Sequence, residues 1–378
     1  MTTAARAATA FRARYGTGCA GVWAAPGRVN LIGEYTDLNE GWVLPLALPH
    51  ATYVAARPRA DGVLHLHSAA APGVVRVRAG DPAPGWAAYP AAVVRALHEA
   101  GAAVGGADLH VESDVPTGAG LSSSAALLVA TALALDGLYG LGLAREDIAR
   151  LARHAENAHV GVPCGVMDQT ASACCTEGHA LHLDTRHLTY RQLPLPLAAQ
   201  GLRLLVVDTG VTHAVGAGEY ARRRDGCHEA ARALGVRALR DVPYEELEPA
   251  TAAVPPRLRG LLRHVVEENR RVAAVAALLT AGDLRAVGPW LTAGHRSLRD
   301  GFRVSCPELD LAVAAACAAG ALGARMTGAG FGGSAVVLVE EAGADEVGRA
   351  VRDAFATAGF RPPRVFPAVA AAGARRVA

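Results

Sequence analysis

The chain has 378 residues, 51% of them hydrophobic, enough to bury a sizeable core and to build two lobes. Its 37 basic and 35 acidic residues leave a net charge of +2 with no basic block, so a nucleic-acid partner finds no support. Every basic residue is an arginine, and the absence of lysine excludes a Walker-A lysine, a protein-kinase strand lysine and a Schiff-base lysine.

In chain order, residues 1–20 read as a short polar helical lead-in. Residues 21–48 read as strand pieces broken by a polar knot from Gly33 to Gly41. The alternating runs 63–68 and 74–78, separated by Ala71-Pro72-Gly73, predict a hairpin, and 89–100 predicts an amphipathic helix. A strand over 107–113 feeds a Gly/Ser loop and a helix over 121–138. A second helix spans 146–159, and Asp168 falls early in a third, after the turn Pro163-Cys164-Gly165. Strands at 180–183 and 202–208 flank a loop carrying Pro194 and Pro196. Helices follow near 218–234, 257–300 and 307–319. The chain then reads as strand 324–327, Gly-rich turn 328–333, strand 334–339, helix 343–358 and strand 364–368. Strands and helices mix without regular βαβ alternation, which predicts an α+β fold. The boundary falls near 190–202, giving an N-terminal lobe over 1–195 and a C-terminal lobe over 196–378.

Seven cysteines, an odd number without C-x-x-C spacing, read as reduced thiols in a cytoplasmic protein. The fourteen histidines show no H-x-x-x-H pair, and His65 and His67 fit strand alternation better than metal ligation. No run approaches the roughly 18 apolar residues of a membrane span, so no membrane partner is expected.

Three segments carry the chemistry. In Pro116-Thr117-Gly118-Ala119-Gly120-Leu121-Ser122-Ser123-Ser124, Gly118 and Gly120 permit positive φ and close backbone approach. The N–H groups that open the next helix point at whatever sits there, and with the helix dipole they favour phosphate. The serine hydroxyls add donors and a candidate Mg²⁺ ligand. An earlier segment, Gly27–Asp37, holds Arg28, able to fork onto a phosphate or a carboxylate, and the acids Glu34 and Asp37, placed to accept hydroxyls of a polyol. Taken alone, Glu34 and Asp37 also read as an exposed acidic turn. The third segment, Thr327–Ser334, has four glycines in six residues, more than a hairpin needs. Glu156 and Asp168 stand among apolar neighbours, where a helix cap or a paired structural acid is the plainer reading of each.

In order and spacing the three segments resemble the motifs of the GHMP small-molecule kinase superfamily. Pro163-Cys164-Gly165-Val166-Met167-Asp168-Gln169, Glu219-Tyr220 with Arg222-Arg223, Ser297-Leu298-Arg299-Asp300, Pro307-Glu308-Leu309-Asp310 and Gly323-Ala324-Arg325-Met326-Thr327-Gly328 are similar to its galactokinase branch, over about residues 14–357. The resemblance implies two α+β lobes with the active site between them. It implies ATP-dependent phosphorylation of the anomeric C1 hydroxyl of α-D-galactose, the first committed step of galactose catabolism, by a cytoplasmic monomer or weak homo-oligomer. Asp168 matches the catalytic aspartate that receives the hydroxyl proton. Arg28 matches the arginine that pairs with it and stabilises charge on the transferring phosphoryl. Gly118, Ala119, Gly120, Leu121, Ser122, Ser123 and Ser124 match the ATP loop, and Ser124 and Glu156 the Mg²⁺ ligands. Glu34, Tyr35, Thr36, Asp37, Gly165 and Tyr220 fall where the family contacts galactose.

The chain departs from the family pattern at Tyr35 and Leu38, usually His and Tyr, which implies altered tolerance at the sugar's 6-position, and at Ala329, where glycine is common. Two alternatives remain at this level. One is another kinase of the superfamily, acting on an N-acetylhexosamine, arabinose or mevalonate. The other is a catalytically silent sugar-and-ATP sensor, against which the intact Ser124-Ala125 and Asp168 speak.

Overall fold

The computed structural model describes residues 1–211 and 216–378. The first half runs α1 (Thr3–Tyr15), β1 (Gly21–Asn30), β2 (Trp42–Val43), β3 (Pro45–Arg59), β4 (Val63–Ser68), β5 (Ala71–Arg78), α2 (Ala88–Glu99), β6 (Gly106–Ser113), α3 (Ser123–Tyr139), α4 (Arg145–His154), α5 (Met167–Cys174), β7 (His179–Asp184) and β8 (Thr189–Pro194). The second half runs β9 (Leu202–Asp208), α6 (Gly216–Ala233), α7 (Leu247–Ala253), α8 (Pro256–Ala281), α9 (Gly288–Arg296), α10 (Pro307–Ala318), β10 (Gly323–Thr327), β11 (Ser334–Glu340), α11 (Ala344–Thr357), β12 (Arg364–Ala368) and β13 (Arg375–Arg376).

A six-stranded sheet, ordered β13-β1-β3-β6-β4-β5, is antiparallel except for the β4–β6 pair. Strand β1 is buried at every position, because α3 lies across it and β3. Helix α3 is apolar around most of its circumference, the pattern of a helix enclosed by protein, with α2, α4 and α5 packed about it. A four-stranded antiparallel sheet, β10-β11-β9-β12, belongs to the second half, with α9, α10 and α11 packed on it. A small third sheet, β2-β7-β8, lies beside the first. The fold is α+β, as the mixed pattern implies. Among the described residues, no helix is long and apolar enough to cross a membrane.

Several details differ from the sequence pattern. The hairpin turns at Ala69-Ala70, and Ala71-Pro72-Gly73 opens β5; β5 is an edge strand, where the missing proline N–H costs no ladder bond. Thr189–Pro194, read as loop, is the edge strand β8, with Pro194 as its last residue. The run 257–300 divides where Gly282, at φ 77°, caps α8 by donating its N–H to Leu278 and Leu279 carbonyls. The helix over 146–159 ends at His154 and continues as a single π turn, Ala155–Val160. The C-terminus returns to the first sheet, where β13 pairs Arg376 with Trp23 on β1.

The three motif segments meet where the two halves join. The Arg28 N–H donates to Leu121 O at 3.1 Å, and Ser334 Oγ donates to Ala119 O at 2.7 Å. The Asn30 N–H donates to Thr327 Oγ1 at 3.0 Å. The glycines of the third segment are demanded by this packing: a Cβ on Gly328 would sit 2.9 Å from Gly120 O, and one on Gly330 2.1 Å from Val304 O.

Candidate active site

Strand β1 delivers Arg28, and the tight loop after it delivers Glu34, Tyr35 and Asp37. Gly33, at φ 106°, lets this loop double back, since a Cβ there would meet Trp42 O at 2.8 Å. Tyr35 is held at φ 67°, strained for a non-glycine residue. Its ring packs 4.5 Å from that of Phe302, and its hydroxyl donates to Ala329 O at 2.5 Å.

A cavity of about 280 Å³ opens at this junction, lined by Arg28, Glu34, Tyr35, Asp37, Ser124, Glu156, Gly165, Asp168 and Tyr220, with Val162, Pro163, Cys164, Met167, Gly328 and Ala329 completing its wall. Asp168, in the first turn of α5, is the hub of its polar floor. Arg28 donates to Asp168 Oδ1 from Nε at 2.9 Å and from Nη2 at 2.7 Å. Ser122 Oγ donates to Asp168 Oδ2 at 2.5 Å. Arg28 also donates from Nη1 to Gly120 O at 2.7 Å, fixing its guanidinium between the Gly118–Ser124 segment and Asp168.

Ser122 sits at φ 60°, outside the extended backbone of a capping residue, and its hydroxyl donates to Asp168, so the first-turn N–H groups of α3 have no side-chain cap. That opening, after Gly118 and Gly120 at φ 76° and 71°, has the chemistry of an anion cradle. Of the seven residues predicted for the ATP loop, Ser124 reaches the cavity wall. Ala119 and Leu121 send their side chains into the core, leaving backbone as their available contact.

Glu34 is anchored from behind. Arg325 on β10, 0% exposed, forms ion pairs with Glu34 and, at 3.0 Å, with Glu268 of α8. Glu34 Oε2 lies against the guanidinium without an aligned hydrogen bond, while Oε1 accepts the Gly328 N–H at 3.2 Å. Glu268 also accepts from Arg271 Nε at 2.6 Å and from the Gly33 N–H at 2.9 Å. Burial pushes the Glu34 carboxyl up to about 7, with Arg325 opposing and Glu268 reinforcing. For Glu268 burial also acts upward, but Arg325 and Arg271 overcome it and hold the carboxyl below its ordinary range. Burial, reinforced by the charge of Asp168, pushes Asp37 up to about 6. Gly165 makes room for Asp37, since a Cβ there would lie 1.7 Å from Asp37 Oδ2.

Of the residues predicted to contact the sugar, Thr36 does not reach the cavity. It is buried, and its hydroxyl lies 2.7 Å from Gly33 O and 2.6 Å from Trp42 O, sharing its one proton between the two carbonyls and closing the loop. Sequence reasoning missed Arg325, Glu268 and Gln169, whose Nε2 donates to Glu156 at 2.6 Å. Arg325 lies within a segment already notable for its motif, but nothing local signals that it reaches Glu34.

Four carboxylates line the cavity against one cation, Arg28, among the described residues. Glu156 is raised by burial, against a hydrogen bond from Ser124, and the charge of Asp168 raises it further. An excess of negative charge and a paired hydroxyl and carboxylate are hard oxygen donors that suit Mg²⁺.

Residues 9–58 match the galactokinase galactose-binding signature, 88–176 the GHMP kinases N terminal domain and 274–357 the GHMP kinases C terminal. The chain is 60% identical over 376 residues to a galactokinase of Streptomyces coelicolor, covering 97% of each, and 56% identical to one of Streptomyces lividans, covering 92% of this chain and 89% of that one. Its fold superposes on Lactococcus lactis galactokinase complexed with galactose at a TM-score of 0.95, with 30% identity and all of both chains covered. Mevalonate kinase from Methanococcus jannaschii shares the fold at 17% identity, with a TM-score of 0.65. The chain belongs to the galactokinase family of the GHMP kinases.

Proposed function

We infer that the protein transfers the γ-phosphoryl group of ATP to the C1 hydroxyl of α-D-galactose, giving galactose 1-phosphate and ADP. The observation that carries this reading is the Arg28–Asp168 pair, set between an uncapped helix N-terminus and a pocket walled by Glu34 and Asp37. Glu34, Asp37 and the Tyr220 hydroxyl take the sugar hydroxyls, with Gly165 and Tyr35 shaping the pocket. The first-turn N–H groups of α3, reached through residues 118–124, take the phosphates. Asp168 accepts the proton of the C1 hydroxyl, whose oxygen forms the new bond to the γ-phosphorus while the β–γ bridging oxygen leaves with its electron pair on ADP. Arg28 holds Asp168 in place and offers positive charge to the phosphoryl oxygens in flight. Ser124 and Glu156 would hold Mg²⁺, which when bound supplies further charge against the phosphate oxygens.

The lobes divide near residue 195, with the last strand returning to the first lobe. Seven free cysteines and the near-neutral charge fit a cytoplasmic monomer or weak homo-oligomer without a nucleic-acid partner. An ADP-release assay with Mg·ATP tests the function across galactose, 2-deoxygalactose, galactosamine, fucose, glucose, arabinose and mevalonate. Turnover is expected to be highest on galactose; turnover confined to arabinose or mevalonate would overturn the reading, and galactose binding without turnover would indicate a sensor.

Three further outcomes are expected from the pocket. Because Glu34 and Asp37 titrate near 7 and 6, kcat/KM for galactose falls as pH drops through those values and the sugar loses its two carboxylate acceptors. The sign for stability is opposite. Both acids bind protons more tightly folded than unfolded, so their contribution to stability is present at low pH and lost as pH rises from about 4 to about 7. A flat kcat/KM between pH 5 and 8, beyond the titration of ATP itself, would remove both acids from sugar binding. Gly165→Ala forces Asp37 aside and raises galactose KM by roughly tenfold to a hundredfold, with far less effect on ATP KM. Tyr35→His, which removes the bond to Ala329 O, changes the ratio of galactose to 6-deoxygalactose turnover; equal ratios in the two proteins would place position 35 away from the sugar's 6-position.

A further inference from the structure

Helix α4 ends at His154, and the π turn Ala155–Val160 follows without a break. Residues five apart on an α-helix point about 140° away from each other. The wider π turn removes most of that divergence. His154 and His159 therefore share a face, their rings edge to face with centroids 5.5 Å apart. Glu99, the last residue of α2, reaches them from the neighbouring helix. Its Oε2 lies 2.8 Å from His154 Nε2 and 3.1 Å from His159 Nε2. One donor atom from each of the three residues lies within 4.8 Å of the other two. The His159 side chain is 6% exposed and held by packing, whereas those of Glu99 and His154 are 52% and 53% exposed and leave the group open to solvent.

We propose that Glu99, His154 and His159 form a binding site for a first-row transition cation of the zinc class. Two imidazole nitrogens and one carboxylate oxygen are a complete three-ligand set for Zn²⁺, with water in the fourth position. Bonds of about 2.1 Å in a tetrahedron separate the donors by about 3.4 Å, so small side-chain shifts from the observed spacing suffice. Imidazole nitrogen selects Zn²⁺ over Mg²⁺, which separates this site from the all-oxygen pair of Ser124 and Glu156. The two are mechanically linked, because Glu156 projects inward from the same π turn that carries His159 outward. A cation on the outer face would tie that turn to α2.

The test uses the full-length protein freed of metal with a chelator, alongside Glu99→Gln and His154→Ala, both at exposed positions. Zn²⁺ is titrated in competition with a chromophoric chelator, and Co²⁺ binding is followed by its visible absorption, each with Mg²⁺ in large excess. The wild-type protein is expected to bind one equivalent of Zn²⁺ that Mg²⁺ does not displace, and to show a higher unfolding midpoint with Zn²⁺. Each variant is expected to lose that equivalent, or to bind it at least about tenfold more weakly, and to lose the shift in midpoint. Equal stoichiometry and affinity in the wild type and both variants would assign the Zn²⁺ to the cysteines or other histidines and overturn the proposal. Absence of Zn²⁺ binding by the wild type would leave Glu99, His154 and His159 as a hydrogen-bonded surface cluster.

Discussion

Asp168→Asn lowers kcat on galactose by roughly 10²- to 10⁴-fold, while galactose KM changes by less than about tenfold. The asparagine keeps the size of the side chain and one oxygen able to accept from Arg28 or Ser122, so the donors that position Asp168 retain much of their geometry. What disappears is the negative charge and the capacity to take the C1 proton. The substitution therefore separates two roles that the static structure combines. A loss near the upper end of the range assigns proton acceptance to Asp168. A loss below about tenfold would assign it orientation alone. Ser122→Ala is the companion variant: it removes one donor to Asp168 and leaves the carboxylate and its pair with Arg28 in place. Its expected loss is smaller than that of Asp168→Asn. Arg28 is 4% exposed, so Asp168→Asn leaves a buried guanidinium less well compensated, and a thermal melt must accompany the kinetics.

The second large effect is on the folded state. Arg325→Met destabilises the protein by about 3–5 kcal/mol, read from urea unfolding monitored by fluorescence. Arg325 is fully buried between Glu34 and Glu268, and methionine restores the volume of the stem without the charge. The loss leaves Glu34 without a cation in contact and Glu268 with Arg271 alone. Glu34 then holds its proton to higher pH, because Arg325 is the main group opposing the rise that burial imposes. Galactose KM is expected to rise with the loss of stability, and to recover more than ATP KM does on raising the pH. Arg325→Met combined with Glu268→Gln recovers part of the stability, since one uncompensated charge goes with the cation. Equal stabilities for wild type and Arg325→Met would mean that the paired charges gain no more than their desolvation costs.

Much of the site was legible because its signals are local. Gly118, Gly120 and the serines that follow announce a cradle through backbone freedom and hydroxyl chemistry within nine residues. Glu34, Asp37 and Asp168 were not legible from local spacing alone, which fits an exposed acidic turn and a paired structural acid as well; their match to the family's motifs singled them out. Periodicity likewise located most helices and strands, since burial of one face imposes its repeat on the chain wherever that face is continuous. It misled where tertiary packing overrides local preference. Pro194 ends an edge strand that needs no further N–H, whereas the break at Gly282, which divides the run 257–300 into two helices, is a local stop signal. Thr36 looked like a sugar contact by position, yet its hydroxyl serves two backbone carbonyls that only the folded loop brings together.

The sequence by itself determined the fold class and marked out the three motif segments, because those follow from side-chain chemistry and short-range spacing, and the principal charged groups stood out through their match to the family's motifs. Only the tertiary structure decided which partner each group meets. Arg325 meets Glu34 from the far half of the chain, Ser122 at the head of α3 holds Asp168, and a π turn gathers His154 and His159 beside Glu99. The physical reason is that buried charge is governed by contacts between residues distant in sequence, and those contacts exist only once the core has closed around them.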